Sequence, residues 1–197
     1  MSSENSLNPT AANPQPAASG RKWILFAAVV LTILALDLAT KSWALGALEP
    51  RGPTIYGLGF IPLTLHFNTG GLWGIGSGSV SRWLFSIASF AALALLVHLY
   101  RSTDRRHPLR LITIPMIAAG ALGNLVDRLR WDRGVVDFIG PVDLGFMHWP
   151  IFNVADMAIS CCTILLVISL WRDPGEPQPA MRGKTPGQAV EETPAGG

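Results

Sequence analysis

The stretch "FNVADMAISCCTILLVISLW", Phe152 to Trp171, is apolar over almost its whole length yet carries an aspartate, Asp156, near its start. At 1.5 Å per residue a helix of about 20 apolar residues crosses a hydrocarbon core of about 30 Å, so this stretch reads as a membrane span. A carboxylate at the centre of such a span costs about 2.5–3.5 kcal/mol on insertion scales and has to be balanced by a function or a partner. A second stretch, "GVVDFIG" (Gly134 to Gly140), sets Asp137 among apolar neighbours in the same way.

Three further apolar stretches lie upstream: Trp23 to Leu36 extending toward Leu48, Trp83 to Tyr100, and Leu111 to Val126. The chain has 197 residues, 49% hydrophobic and 14% charged, against about 25% charged residues in an ordinary soluble domain. The expectation is an all-α membrane protein with four transmembrane helices over about 23–47, 82–100, 109–128 and 151–171, within a membrane domain covering 21–172. The tails, 1–20 and 173–197, are rich in Pro, Gly, Ala, Ser and Glu and are expected to be disordered and cytoplasmic. Arg21 and Lys22 before the first apolar core also fit a secretory signal, but no small-x-small cleavage site follows. Instead "DLATKSWAL" continues the helical pattern, with Asp37 and Lys41 at i, i+4.

A net charge of +2, with the basic residues beside apolar runs, excludes a nucleic-acid-binding surface. Cys161 and Cys162 are adjacent within an apolar run and read as small core or lipid-facing residues. His66, His98, His107 and His148 lack ligand spacing, so neither a metal nor another cofactor is expected. Arg21, Lys22, Arg101, Arg105, Arg106, Arg110 and Arg172 fall at one side of the spans, and Arg51, Arg82, Arg128, Arg130 and Arg133 at the other. The first side has the excess, which predicts that both termini are cytoplasmic.

In that topology Asp37, Lys41, Asn124, Asp127, Arg128, Asn153 and Asp156 all fall toward the outer ends of their helices, while Asn68 and Asp137 belong to the outer connections. "GNLVDR" places Asp127 and Arg128 at i+3 and i+4 from Asn124, with Arg128 expected to neutralise Asp127; "NVAD" places Asp156 at i+3 from Asn153. Between the first two helices, "FIPLTLHF" reads as a short strand followed by a Gly-rich turn. The chain lacks GxSxG, HExxH and a phosphate loop, and Lys41 and Ser42 point apart on one helix. A pair of carboxylates is the most complete catalytic set left, one acting as base on a water and the other as acid. Asp156 is the stronger candidate; for the second member, Asp132 and Asp143 compete with Asp137, which its apolar flanks set apart.

In order, "DLATK" (Asp37 to Lys41), "FNTGG" (Phe67 to Gly71), "GNLVDR" (Gly123 to Arg128), "GVVDFIG" and "FNVAD" (Phe152 to Asp156) resemble the motif set of bacterial lipoprotein signal peptidase, signal peptidase II. The resemblance covers about residues 23–171 and implies a four-helix inner-membrane aspartic peptidase with a small periplasmic β-sheet and an interfacial helix or loop. It implies cleavage of a prolipoprotein before a diacylglyceryl-modified cysteine, by a monomer, at the outer membrane face, with substrate and membrane lipid as the partners. By motif, Asp137 and Asp156 match the catalytic dyad, and Asp37, Lys41, Asn68, Gly70, Asn124, Asp127, Arg128, Asn153 and Ala155 match supporting positions. Leu72 and Trp73 depart from the family pattern and imply a reshaped substrate rim. Two other readings, a small proton-coupled transporter and a scaffold recruiting a partner helix, account for embedded acids without hydrolysis.

Overall fold

The computed structural model describes residues 16–52, 55–56, 61–70 and 79–172. Both expected tails, apart from 16–20, and the Gly-rich segment with Leu72 and Trp73 lie outside the described residues. Four helices are long and apolar enough to cross a bilayer. They are α1 (Pro16–Leu48), α2 (Ser79–Ser102), α3 (Pro108–Arg130) and α4 (Val154–Trp171). Leu31 (63% exposed), Leu95 (66%) and Ile164 (61%) point outward, as side chains facing lipid do. The four-helix membrane fold read from the sequence is the fold observed.

Helix α3 is the centre of the bundle, packing against α1, α2 and α4. Small residues on its surface permit close approach where no hydrophobic effect between helices is available. A Cβ at Gly120 would lie 2.5 Å from the Ala155 carbonyl oxygen, and one at Gly123 would collide with the Asp37 carboxylate. At one end of the bundle Trp23 packs edge to face on Phe26 and Tyr100, whose rings are tilted to each other, with Tyr100 Oη donating to the Lys22 carbonyl at 2.7 Å. Lys22 Nζ donates to the carbonyls of Arg101 (3.1 Å) and Thr103 (2.6 Å), a cation satisfying the end of α2.

At the other end, strands β1 (Ile55–Tyr56), β2 (Pro62–Asn68) and β3 (Val135–Ile139) form an antiparallel sheet in that spatial order. The strand expected over "FIPLTLHF" is β2. The connection after α3 holds β3 and a hairpin of β4 (Val142–Asp143) and β5 (His148–Trp149). The run "VVDFI" is hydrophobic on both sides of the aspartate because β3 is covered: Phe138 packs with Ala44 and Leu48 of α1. Gly134, at φ +99°, makes the turn into β3, where a Cβ would lie 2.5 Å from the Asn68 carbonyl oxygen.

Two pairings fix β3 over the helices. Phe67 pairs with Val136 and His66 with Asp137 on one edge. On the other, Ile139 N donates to Phe152 O and Phe152 N to Ile139 O, each at 2.9 Å. The second pairing ties the strand carrying Asp137 to the residues that lead into α4.

Candidate active site

Residues 151–153 are extended, so α4 begins at Val154, with Asn153 as its N-cap. The span therefore starts three residues later than expected, and Asp156 lies in the first turn. Asn153 Oδ1 accepts from Asp156 N (2.9 Å) and Asp156 Oδ2 accepts from Asn153 N (3.2 Å), a reciprocal capping box. The free N–H of Ala155 is taken by Asp37 Oδ1 of α1 at 2.9 Å. Donors that a helix leaves unsatisfied are thus met by three side-chain contacts, and the Asp156 carboxylate is held against its own backbone.

Behind this terminus lies a buried ionic group. Lys41 Nζ pairs with Asp37 Oδ2 at 2.8 Å and Asp127 Oδ2 at 2.9 Å, and donates to Asn124 Oδ1 at 3.1 Å. The Asp37 contact is an ion pair without the alignment of a hydrogen bond. Asp127 Oδ2 also accepts from Val136 N at 3.2 Å, joining α3 to β3. The neutralising partner of Asp127 is thus Lys41 and not Arg128, as the sequence spacing suggested. Adjacent residues on a helix diverge, and Arg128 turns to the cavity, donating to the Asn124 carbonyl at 3.2 Å and stacking 5.5 Å from the Phe85 ring.

A cavity of about 510 Å³ opens in front of this network. Asp137 and Asp156 both line it, together with Asn68, Asn124 and Arg128. Asn153, matched to a supporting position, is fully buried beneath the cavity, with Nδ2 donating to Asp137 Oδ1 at 2.7 Å. Ala155 is likewise buried and offers only its backbone, and Gly70 N donates to Asn68 Oδ1 at 3.0 Å. The rival aspartate Asp143 is an exposed hairpin residue whose Oδ1 accepts from Gly145 N, and Asp132 is exposed next to Trp131. Topology therefore separates the three loop aspartates that sequence left in competition.

Residues 29–172 match the family model described as signal peptidase (SPase) II. The chain belongs to the signal peptidase II family. A lipoprotein signal peptidase of Syntrophomonas wolfei is 39% identical over 73% of the chain and 90% of its own length. That of Rhodococcus jostii is 35% identical over 80% and 77%. A solved bacterial membrane enzyme superposes with a TM-score of 0.65 at 27% identity, covering 78% of this chain and 94% of that one. A second gives 0.64 at 30% identity, covering 75% and 93%. As a signal peptidase II the chain is an aspartic peptidase and a multi-pass membrane protein, and neither the transporter nor the scaffold reading finds support in the fold or the relatives.

The electrostatics of this signal peptidase II cavity are uneven. Burial, and next the charge of Asp156, push the Asp137 carboxyl up from 3.8 to about 7, against the opposing hydrogen bonds of Asn68 and Asn153. Asp137 Oδ2 is buried without a hydrogen-bond partner among the described residues. A carboxyl raised to about 7 is protonated in a large share of molecules at neutral pH and can act as an acid. Among the described residues, no three His, Cys, Asp or Glu side chains converge in the manner of a metal site.

The rest of the wall is mostly apolar and was not read from the sequence: Val135 on β3, Trp149 to Phe152 on the approach to α4, then Met157, Ile159, Ser160 and Cys161 on α4 itself. Ile159 and Ser160 stand at i+3 and i+4 from Asp156, a spacing that was available as a signal for a shared face. Cys161 lines the cavity, whereas Cys162 is buried with its Sγ 3.6 Å from Met116 Sδ.

Proposed function

We propose that Asp137 and Asp156 are the catalytic dyad with which this chain cleaves a diacylglyceryl-modified prolipoprotein before its lipidated cysteine. The observation that carries this is their convergence from β3 and α4 on one cavity, joined through the amides of Asn124 and Asn153. Asp156 accepts from two donors, Asn124 Nδ2 at 2.8 Å and Asn153 N at 3.2 Å, which orient its carboxylate to serve as the base. Asp137, with Oδ2 unpartnered, holds the shared proton.

In this mechanism Asp156 takes a proton from a water whose oxygen attacks the scissile carbonyl carbon, while Asp137 gives its proton to the carbonyl oxygen. The resulting gem-diol collapses as the C–N bond breaks. The leaving amine takes the proton from Asp156, and Asp137 recovers one from the gem-diol hydroxyl. Asn68 and Arg128 hold the peptide, and the apolar wall from Trp149 to Cys161 receives the apolar parts of the substrate. The excess of basic residues at the Lys22 end supports cytoplasmic termini and a cavity at the extracytoplasmic face. In this reading the chain acts as a monomer.

The test is cleavage of a lipidated prolipoprotein by the purified chain in proteoliposomes. Asp137→Asn and Asp156→Asn are each expected to abolish product while the protein stays folded. Near-normal cleavage by either variant removes that residue from the dyad.

A further inference from the structure

The amide of Asn124 stands between an ammonium, which can only donate, and the Asp156 carboxylate; that of Asn153 stands between a backbone N–H and the Oδ1 of Asp137. Lys41 Nζ donates to Asn124 Oδ1 at 3.1 Å, and Asn124 Nδ2 donates to Asp156 Oδ1 at 2.8 Å. An ammonium has no lone pair to offer and an ionised carboxylate has no proton, so a single orientation of the Asn124 amide satisfies both. Asn153 follows the same logic: its Oδ1 accepts from Asp156 N at 2.9 Å and its Nδ2 donates to Asp137 Oδ1 at 2.7 Å. The two amides also meet, Asn153 Nδ2 lying 3.1 Å from Asn124 Oδ1.

We propose that Lys41, only 2% exposed and behind the cavity wall, is a positioning residue that fixes the polarity of this amide chain and so turns one N–H toward each carboxylate of the dyad. The inference rests on the dyad reading above. With Nδ2 and Oδ1 of Asn124 exchanged, an oxygen would face the Asp156 carboxylate and an N–H would face the ammonium. Asn153 Nδ2, which also reaches Val136 O at 3.3 Å, would then face an N–H in place of the Asn124 oxygen, and that repulsion would displace the amide that holds Asp137. Only the orientation set by Lys41 leaves Asp156 with two donors while Asp137 keeps that of Asn153 beside that of Asn68. The ammonium therefore acts on the reaction without touching substrate, beyond its ion pairs to Asp37 and Asp127.

Asn124→Asp provides the test, because it keeps an acceptor for Lys41 and replaces the donor facing Asp156 with an oxygen. At neutral pH kcat is expected to fall about 10²-fold with KM nearly unchanged. As pH is lowered, the introduced carboxyl takes up a proton, regains a donor toward Asp156, and activity recovers, so the optimum moves to lower pH. A pH profile of wild-type shape, whether or not it is scaled down, overturns the proposal. In a double-mutant cycle of Lys41→Met and Asn124→Ala, the double variant should lose no more kcat than the worse single one; additive losses make Lys41 merely structural and overturn it as well. Should Lys41→Met fail to fold, the Asn124→Asp profile decides alone. Asp137→Asn and Asp156→Asn run alongside: normal cleavage by either defeats the dyad, whereas two inactive variants beside a wild-type-shaped Asn124→Asp profile defeat the amide chain only.

Discussion

The outer end of the bundle contains two sets of buried carboxylates that differ in one respect. On the helix side, Asp37 and Asp127 share Lys41 at 2.8 and 2.9 Å. On the sheet side, Asp137 and Asp156 face one cavity and receive amide N–H groups in place of an ammonium. The first set is neutralised inside the protein and serves to join α1, α3 and the start of α4. In the second, repulsion between carboxylates and burial are left standing, and a proton resolves them. In the dyad proposed above, the same residue type is thus structural or reactive according to whether a cation is in direct contact.

That contrast can be broken in order of expected effect. Replacing either reactive aspartate by asparagine is expected to lower kcat by at least about 10²–10⁴-fold with little change in melting temperature, as measured by lipoprotein cleavage and thermal unfolding in detergent. Lys41→Met should have the opposite signature in stability, since it leaves Asp37 and Asp127 buried without their cation, a loss of about 3–5 kcal/mol. Adding Asp37→Asn and Asp127→Asn to that variant should recover much of the loss in the same unfolding assay. Gly123→Ala pushes a methyl group against the Asp37 carboxylate, at about 1–3 kcal/mol, with activity reduced as α4 shifts.

The smallest effect concerns pH. Asp137, raised to about 7, supplies its proton below that pH, so kcat/KM should fall as pH rises through about 7. The folded chain binds this proton more tightly than the unfolded chain, so the carboxyl's contribution to stability is present at low pH and lost as pH rises toward 7. Asn68 donates a hydrogen bond that opposes the shift. Asn68→Ala should therefore move the alkaline limb of the cleavage profile upward, and a downward movement would contradict this account of the site.

Much of the fold was legible because membrane spans obey a length rule that holds without knowledge of neighbours. The i, i+4 spacing of Asp37 and Lys41 became the observed ion pair, and the alternation of "FIPLTLHF" became β2. Strand β3 was not legible, because a strand buried on both faces loses the alternation that marks an exposed one. The Asn153–Asp156 spacing was visible and read as a shared helix face; its role as a capping box, which shortens α4 by one turn at its start, was the alternative meaning of the same interval.

The sequence by itself determined four spans, the confinement of embedded polar residues to one end, and the set of residues from which a site could be made. Helical periodicity and the cost of charge in hydrocarbon are local properties, readable residue by residue. Only the tertiary structure decided which of the three loop aspartates faces a cavity with Asp156, that Lys41 and not Arg128 serves Asp127, and that Asn153 lies beneath that cavity. Those outcomes depend on the bridge between Ile139 and Phe152 and on the space beside Gly123, contacts between segments that no spacing along the chain encodes.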